Sequence, residues 1–324
     1  MKYRPLGTTG LFVSEIGFGA WGIGGRTTGT TSYGDTDDRT SVAALDRALD
    51  VGINFFDTSS AYGNGHSEEL IGQAFASKRS RAIIATKAGY DAWDKPPDFS
   101  PEAVVASAEA SLRRLRTDYI DLFQLHNPPR DALHAPALRE ALDRLRAAGK
   151  IRAWGVSAKS PIEAIEALKM FDVAVVQANF NMMDVRALDG LLGEVESARA
   201  GFIGRTPLCF GFLSGALSKQ TEFPPGDHRR GWSRAQLDNW IEGAADLLAA
   251  VKANPGRQGV QSALRFCLAF PAISSVIPGI LTAAEAEENA RASDAGPLEE
   301  EAVATVLAIN SRRKFFVSRP AQDS

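Results

Sequence analysis

Apolar positions along the chain alternate between two spacings. Blocks that are apolar almost throughout, as in strands covered on both faces, occur at 15–21 (EIGFGAW), 54–56 (NFF), 82–89 (AIIATKAG), 119–126 (YIDLFQLH), 151–158 (IRAWGVSA), 173–180 (VAVVQANF), 201–208 (GFIGRTPL) and 273–280 (ISSVIPGI). After each block come segments with apolar residues three and four apart, the helical spacing. They cover 39–52, 67–77, 100–118, 135–150, 160–170, 187–200 and 256–270, and a final pair covers 282–293 and 298–310. Boundary residues support these limits. Ser100-Pro101 and Ser160-Pro161 put a hydroxyl N-cap before a proline at the first helical position, and Gly52 and Gly149 close their helices.

Strict alternation of strand and helix predicts a parallel sheet, either open and doubly wound or closed. Eight such units without a linker favour the closed form, a (β/α)8 TIM barrel, as one domain over residues 1–324. The residues left over form additions to that barrel. MKYRPLGTTGLFVS, with a turn at Thr8-Thr9-Gly10, reads as an N-terminal β-hairpin, and the last two helices are extra C-terminal ones. The stretch 214–232 (SGALSKQTEFPPGDHRRGW) is too long and too rich in Pro and Gly for an ordinary connection, and is expected to be a functional loop.

Composition narrows the function classes. A net charge of −3 without any basic block gives no support for nucleic-acid or anionic-membrane partners. No apolar run approaches the ~18 residues of a membrane span. The N-terminus lacks a signal-peptide core. Two cysteines, Cys209 and Cys267, cannot build a disulfide framework, so a reducing cytoplasm is the expected location. Nothing in the sequence reports an oligomeric state.

Barrel enzymes carry their chemistry at the carboxyl ends of the strands. Here those ends supply Asp57 and Tyr62 after the second block, Lys87 in the third and His126 in the fourth. Singly, each has an ordinary reading as a turn cap, a rim residue or a core histidine. Together they form a coherent set. A tyrosine titrates near 10 and needs a cation beside it to act near neutrality. Lys87 can supply that charge, and Asp57 can hold the lysine in place. His126 can donate a hydrogen bond to a carbonyl oxygen. Such a set fits proton delivery to a carbonyl that receives hydride from a nicotinamide.

The motifs GFGAWG, FFDTSSAYGNGHSEELIG, IATK, IDLFQLHN, IRAWGVS, VQANFN, TPL…GFLSG and VIPG…EEN occur in this order, and from end to end the chain resembles the aldo-keto reductase superfamily. The resemblance implies an eight-stranded barrel that reduces aldehydes and ketones with NAD(P)H, or runs in reverse, without a metal. It puts the four catalytic positions on Asp57, Tyr62, Lys87 and His126. It assigns the nicotinamide carboxamide to Ser157 and Gln177, the cofactor and substrate mouth to Trp21 and Gly22, and the pyrophosphate loop to Pro207, Leu208, Gly211 and Leu213. The adenosine stretch runs from Pro278 to Asn289, with Gly279, Thr282, Glu285, Glu288 and Asn289 as contacts.

Three positions depart from the family pattern. Ala158 replaces an asparagine that usually follows the serine of GVS. Arg205 stands where an aromatic ring usually stacks on the nicotinamide. After Pro278 come Gly279, Ile280 and Leu281, and then Glu285, with no Lys or Arg for a 2′-phosphate. Charge counting therefore favours NADH at least equally with NADPH, unless Arg291 or Lys219 reaches the site. Substrate-wall candidates are Trp21, Tyr90, Trp93 and Asn127, although loop aromatics serve packing as readily as binding. The leading reading is a carbonyl reductase or a sugar or alcohol dehydrogenase acting on a small-molecule substrate. A cofactor-binding regulatory barrel with little turnover is the alternative, and a barrel isomerase or hydrolase without nicotinamide ranks third.

Overall fold

The computed structural model describes residues 1–27 and 32–317, so residues 28–31 and 318–324 of the expected domain lie outside the described residues. The chain begins with the expected hairpin, β1 (Tyr3–Pro5) antiparallel to β2 (Phe12–Ser14). Alternation follows: β3 (Phe18–Gly19), α1 (Asp38–Asp50), β4 (Phe55–Asp57), α2 (His66–Phe75), β5 (Ile83–Ala88), α3 (Pro101–Arg114) and β6 (Ile120–His126). It continues with α4 (Arg130–Leu133), α5 (Pro136–Ala147), β7 (Ile151–Ser157), α6 (Pro161–Phe171), β8 (Val175–Asn179), α7 (Leu191–Ala198) and β9 (Gly201–Arg205). The last elements are α8 (Arg234–Ala250), α9 (Arg257–Leu268), β10 (Ser275–Ile277), α10 (Ala283–Ala295) and α11 (Glu300–Arg312). No helix of the described residues is long and apolar enough to cross a membrane.

Strands β3 to β10 form one eight-stranded sheet in sequential order, and every pairing in it is parallel. The first strand meets the last. Val276 N–H donates to Glu15 O (3.0 Å), Gly17 N–H to Val276 O (2.8 Å) and Gly19 N–H to Pro278 O (2.8 Å), which closes the barrel. The Ser100 and Ser160 caps form as expected, the second as a full capping box with Glu163.

The two-residue period of a strand sorts its side chains into an outer and an inner set. Phe56, Ile84, Phe123, Trp154, Val176, Phe202 and Val276 belong to the large core between barrel and helices. Their neighbours Phe55, Ala85, Leu122, Ala153, Val175, Ile203 and Ile277 form a separate cluster inside the barrel, together with Leu6, Leu11 and Val13 of the hairpin. The hairpin thus plugs the bottom of the barrel. Two residues further along the same strands come Asp57, Lys87, Gln124, Gln177 and Arg205. A polar layer therefore lies directly above an apolar one.

Two helices lie outside the sequence expectations, the short α4 and the longer α8. No element is assigned to 233–255 from the pattern, yet α8 forms there. Ser233 caps it, accepting from Gln236 N–H at 3.2 Å, and Leu237, Trp240, Ala244 and Leu247 bury its inner face.

Arg4 ties the plug to the barrel. Its guanidinium donates to Glu15 Oε2 (2.9 Å), to Ile273 O (2.9 Å) and to Leu268 O (3.0 Å). Glu15 is only 2% exposed. Removing the cation would leave a buried carboxylate without its partner, a loss of about 3–5 kcal/mol. We expect Arg4→Met to lower the unfolding free energy by that amount in urea titrations at neutral pH. Adding Glu15→Gln should restore most of it.

Candidate active site

The two phenylalanines of the 54–63 stretch go to opposite sides of β4, Phe55 into the barrel and Phe56 outward, which leaves Asp57 on the inner face at the strand's end. Asp57 is 1% exposed and Lys87 fully buried. Lys87 Nζ donates to Asp57 Oδ1 (2.5 Å), Thr58 O (2.8 Å) and the Tyr62 hydroxyl oxygen (3.3 Å), so all three ammonium protons are used. The other Asp57 oxygen accepts from Gln177 Nε2 (2.8 Å) and Gln124 Nε2 (3.2 Å). Burial by itself would push Lys87 down, but the Asp57 carboxylate holds its pKa above the ordinary lysine value, so the ammonium is charged.

Tyr62 opens a tight turn, Tyr62–Gly65, in which Gly63 (φ 63°) lies against Gly24. A Cβ on Gly63 would stand 2.1 Å from Gly24 O, so only glycine permits this approach. The sequence expectation was a tyrosine pKa lowered by Lys87. In the structure burial outweighs the lysine: the Tyr62 pKa is raised, and Lys87 offsets only part of the rise. Tyr62 is therefore a neutral phenol. Its oxygen accepts from Lys87, which leaves its own hydrogen for another acceptor.

His126 Nδ1 lies 3.3 Å from Ser59 Oγ. The ring packs against Tyr62, Trp93 and Tyr90, with centroids 6.1, 5.3 and 5.5 Å away. Burial, then the charges of Lys87 and Arg205, hold its pKa well below the ordinary value, so it is a neutral imidazole.

These groups stand at one end of a cavity of about 630 Å³. Asp57, Tyr62 and His126 line it, while Lys87 lies beneath its wall. Trp21, Gly22, Trp93, Asn127, Gln177 and Arg205 line it too. Pro207, Leu208, Gly211, Gly279, Glu285, Glu288 and Asn289 line it as well. Four expected contacts fall outside the lining. Ser157 and Leu213 are buried, Thr282 caps α10, and Tyr90 packs on Trp93 and His126.

Sequence reasoning missed several residues of this site. Gln124 sits two residues before His126 on β6 and was legible from the strand period. Asp227 and Arg229 line the cavity from the loop flagged by its length, where the guanidinium forks onto the carboxylate (Nη2 to Oδ2, 2.7 Å). That loop is strapped to residue 32, since His228 N–H donates to Ser32 O at 2.9 Å. Tyr33 and Phe210 also line the cavity, without any local signal.

Comparison with known proteins agrees with the architecture. The profile of the Aldo/keto reductase family matches residues 15–311. The chain is 33% identical over 281 residues to aldo-keto reductase YhdN of Bacillus subtilis, covering 84% of this chain and 82% of that protein. It is 32% identical over 303 residues to L-galactose dehydrogenase of Arabidopsis thaliana, covering 90% and 88%. Among solved structures it resembles the holo form of aldo-keto reductase AKR11C1 from Bacillus halodurans, with a TM-score of 0.77 at 28% identity, covering 95% and 96% of the two chains.

The neutral imidazole makes a prediction about pH. His126 in the unfolded chain titrates near the ordinary value of 6.5, and in the folded chain far below it. Below about 6.5 the unfolded state therefore takes up a proton that the native state refuses. Stability present above that pH is lost as pH falls, at up to about 1.4 kcal/mol per unit. His228, held at about 4 chiefly by burial, adds a second such slope. Urea midpoints for His126→Gln between pH 7.5 and 5 should fall about half as steeply as those of the wild type.

Proposed function

Because the chain belongs to the Aldo/keto reductase family, we propose that it is an NAD(P)H-dependent oxidoreductase acting on the carbonyl of an aldehyde, ketone or sugar, with Tyr62 as general acid and base. The observation that carries this reading is Lys87 Nζ bridging Asp57 and the Tyr62 oxygen in the cavity wall. A reduced nicotinamide dinucleotide held in this cavity would supply hydride to the carbonyl carbon. Tyr62 gives its hydroxyl proton to the carbonyl oxygen, and the adjacent ammonium stabilises the tyrosinate that forms. Neutral His126 can donate to the same oxygen through the ring nitrogen not used by Ser59. In the reverse direction Tyr62 takes the alcohol proton.

The cavity fits a dinucleotide in size, since ligand pockets run from about 300 to 1,000 Å³. It extends from Tyr62 to the start of α10. There Glu285 closes a capping box: its Oε2 accepts from the N–H groups of Leu281 (2.6 Å) and Thr282 (3.2 Å). A phosphate at this helix start would need those same N–H groups and would meet a carboxylate. The cations named from sequence are engaged elsewhere. Lys219 pairs with Glu242 (2.6 Å), Arg291 lies 4.0 Å from Glu287, and neither lines the cavity. These features favour NADH over NADPH.

Two outcomes test the proposal. Tyr62→Phe should keep dinucleotide affinity while turnover of a simple aldehyde falls by ~10²–10⁴-fold or more. Wild-type turnover in that variant would end the assignment, whereas a wild type that binds dinucleotide yet turns over no aldehyde or alcohol would favour the regulatory-barrel alternative. Measured with one aldehyde, kcat/KM for NADH should equal or exceed that for NADPH, and Glu285→Gln should shift the ratio toward NADPH. An NADPH preference above about tenfold, ~1.4 kcal/mol, would overturn the charge argument.

A further inference from the structure

Three buried polar atoms on residues that line the cavity have no hydrogen-bond partner: Asn127 Oδ1, Trp93 Nε1 and Arg205 Nε. Only the last belongs to a charged group. Elsewhere the largely buried cations are matched by carboxylates, Lys87 by Asp57, Arg79 by Asp121, Arg114 by Glu68 and Arg229 by Asp227. Arg205 forms no such pair among the described residues. Its guanidinium is held by a hydrogen bond from Nη2 to Ala158 O (2.9 Å). Asp184 and Glu163 act on it from a distance, but Asp184 forks onto Arg186 and Glu163 closes the capping box of α6. An arginine stays charged at neutral pH even when buried.

The reacting groups are otherwise neutral as a set. Lys87 and Asp57 cancel, while Tyr62 is an un-ionised phenol and His126 an un-ionised imidazole. Of the other charged residues lining the cavity, Asp227 is paired with Arg229 and Glu288 with Arg257, and Glu285 is used in the cap of α10. Arg205 therefore adds one uncompensated positive charge to the wall.

That charge reaches the chemistry. It works against the rise of the Tyr62 pKa and adds to the fall of the His126 pKa. The backbone explains the proximity: Arg205 is anchored on Ala158 O, and Asn127 N–H, next to His126, donates to the preceding carbonyl, Ser157 O (2.6 Å). Hydride passes only when the donor carbon lies about 3–3.5 Å from the carbonyl carbon, whose oxygen meets Tyr62. A nicotinamide ring that reacts here is confined to the region Arg205 acts on.

We infer that Arg205 discriminates between the two oxidation states of the dinucleotide: it repels the cationic oxidised ring and accepts the neutral reduced one. The inference rests on the nicotinamide reading of the site. The selection acts at loading and release. During the reaction the carbonyl carbon takes hydride, which leaves the ring positive, and the carbonyl oxygen takes the Tyr62 proton, which leaves the tyrosine negative. Arg205 faces both new charges, and its effects on them oppose each other. Once Tyr62 regains a proton the repulsion stands alone, and the oxidised dinucleotide is loosened.

Equilibrium binding tests this without turnover. Dissociation constants are measured for the reduced and oxidised nicotinamide dinucleotides, with and without 2′-phosphate, and for benzamide adenine dinucleotide. In the last a neutral benzene ring replaces the pyridinium, so charge is removed while the flat ring and its carboxamide stay. For a unit charge within about 10 Å, wild-type protein should bind the oxidised form about tenfold more weakly than its neutral counterparts. Arg205→Met should narrow that gap to about threefold or less, and Arg205→Lys, which keeps the charge, should retain it. Arg205→Met weakening all the ligands equally would make the residue a contact without charge selection, and overturns the inference; so does a gap lost in Arg205→Lys. Should Arg205→Met not fold, the wild type still decides, since equal affinity for the oxidised dinucleotide and its neutral isostere also overturns it. Failure of the wild type to bind any of these dinucleotides overturns the nicotinamide reading itself, and this inference with it.

Discussion

The site depends on one buried ion pair. Taking an ammonium and a carboxylate out of water costs several kcal/mol each, and attraction between them offsets this only when every remaining hydrogen-bonding group is satisfied. Lys87 and Asp57 meet that condition. The lysine has three protons and three acceptors, and the second aspartate oxygen takes two amide donors. No slack remains in the arrangement, so the Tyr62 oxygen, as the third acceptor, is fixed by the same accounting that keeps the pair stable.

The rest of the cavity divides into a rigid floor and a wall of loops. The floor is the polar layer of the barrel, whose side chains stand two residues beyond an apolar layer on the same strands. Its positions follow from strand register and cannot move without moving the sheet. The wall comes from the ends of β3 and β9, the start of α10 and the 214–232 loop, held by contacts such as His228 to Ser32 and Arg229 to the Phe210 carbonyl. In barrel enzymes chemistry commonly sits on the first part and shape selection on the second.

The legibility of these features followed their range in sequence. Asp57, Lys87 and His126 announced themselves as polar residues at the ends of apolar strands, and the barrel announced itself by alternation. Gln124 obeyed the same period but looked unremarkable inside YIDLFQLH, because its meaning comes from Asp57, 67 residues earlier. Ser157 and Gln177 were placed correctly on neighbouring strands, while the use of their hydrogen bonds on each other and on Asp57 is a matter of three-dimensional supply and demand. The helix at 234–250 has its apolar residues at helical spacing, yet it follows a Pro- and Gly-rich loop and corresponds to no strand–helix unit. Tyr33 reaches the cavity through packing on Trp21 and His228, contacts no local pattern encodes.

The hairpin plug has a consequence for proton traffic. Leu6, Leu11 and Val13 seal the base of the barrel beneath the apolar layer, so the polar layer has an insulating floor and a single wet side. A tyrosine that gives up its proton in such a vessel cannot be recharged from below through the barrel axis. On the proposed role of Tyr62, its replacement would have to enter by the cavity mouth, and the Lys87 ammonium, buried in the wall, would stabilise the anion until then.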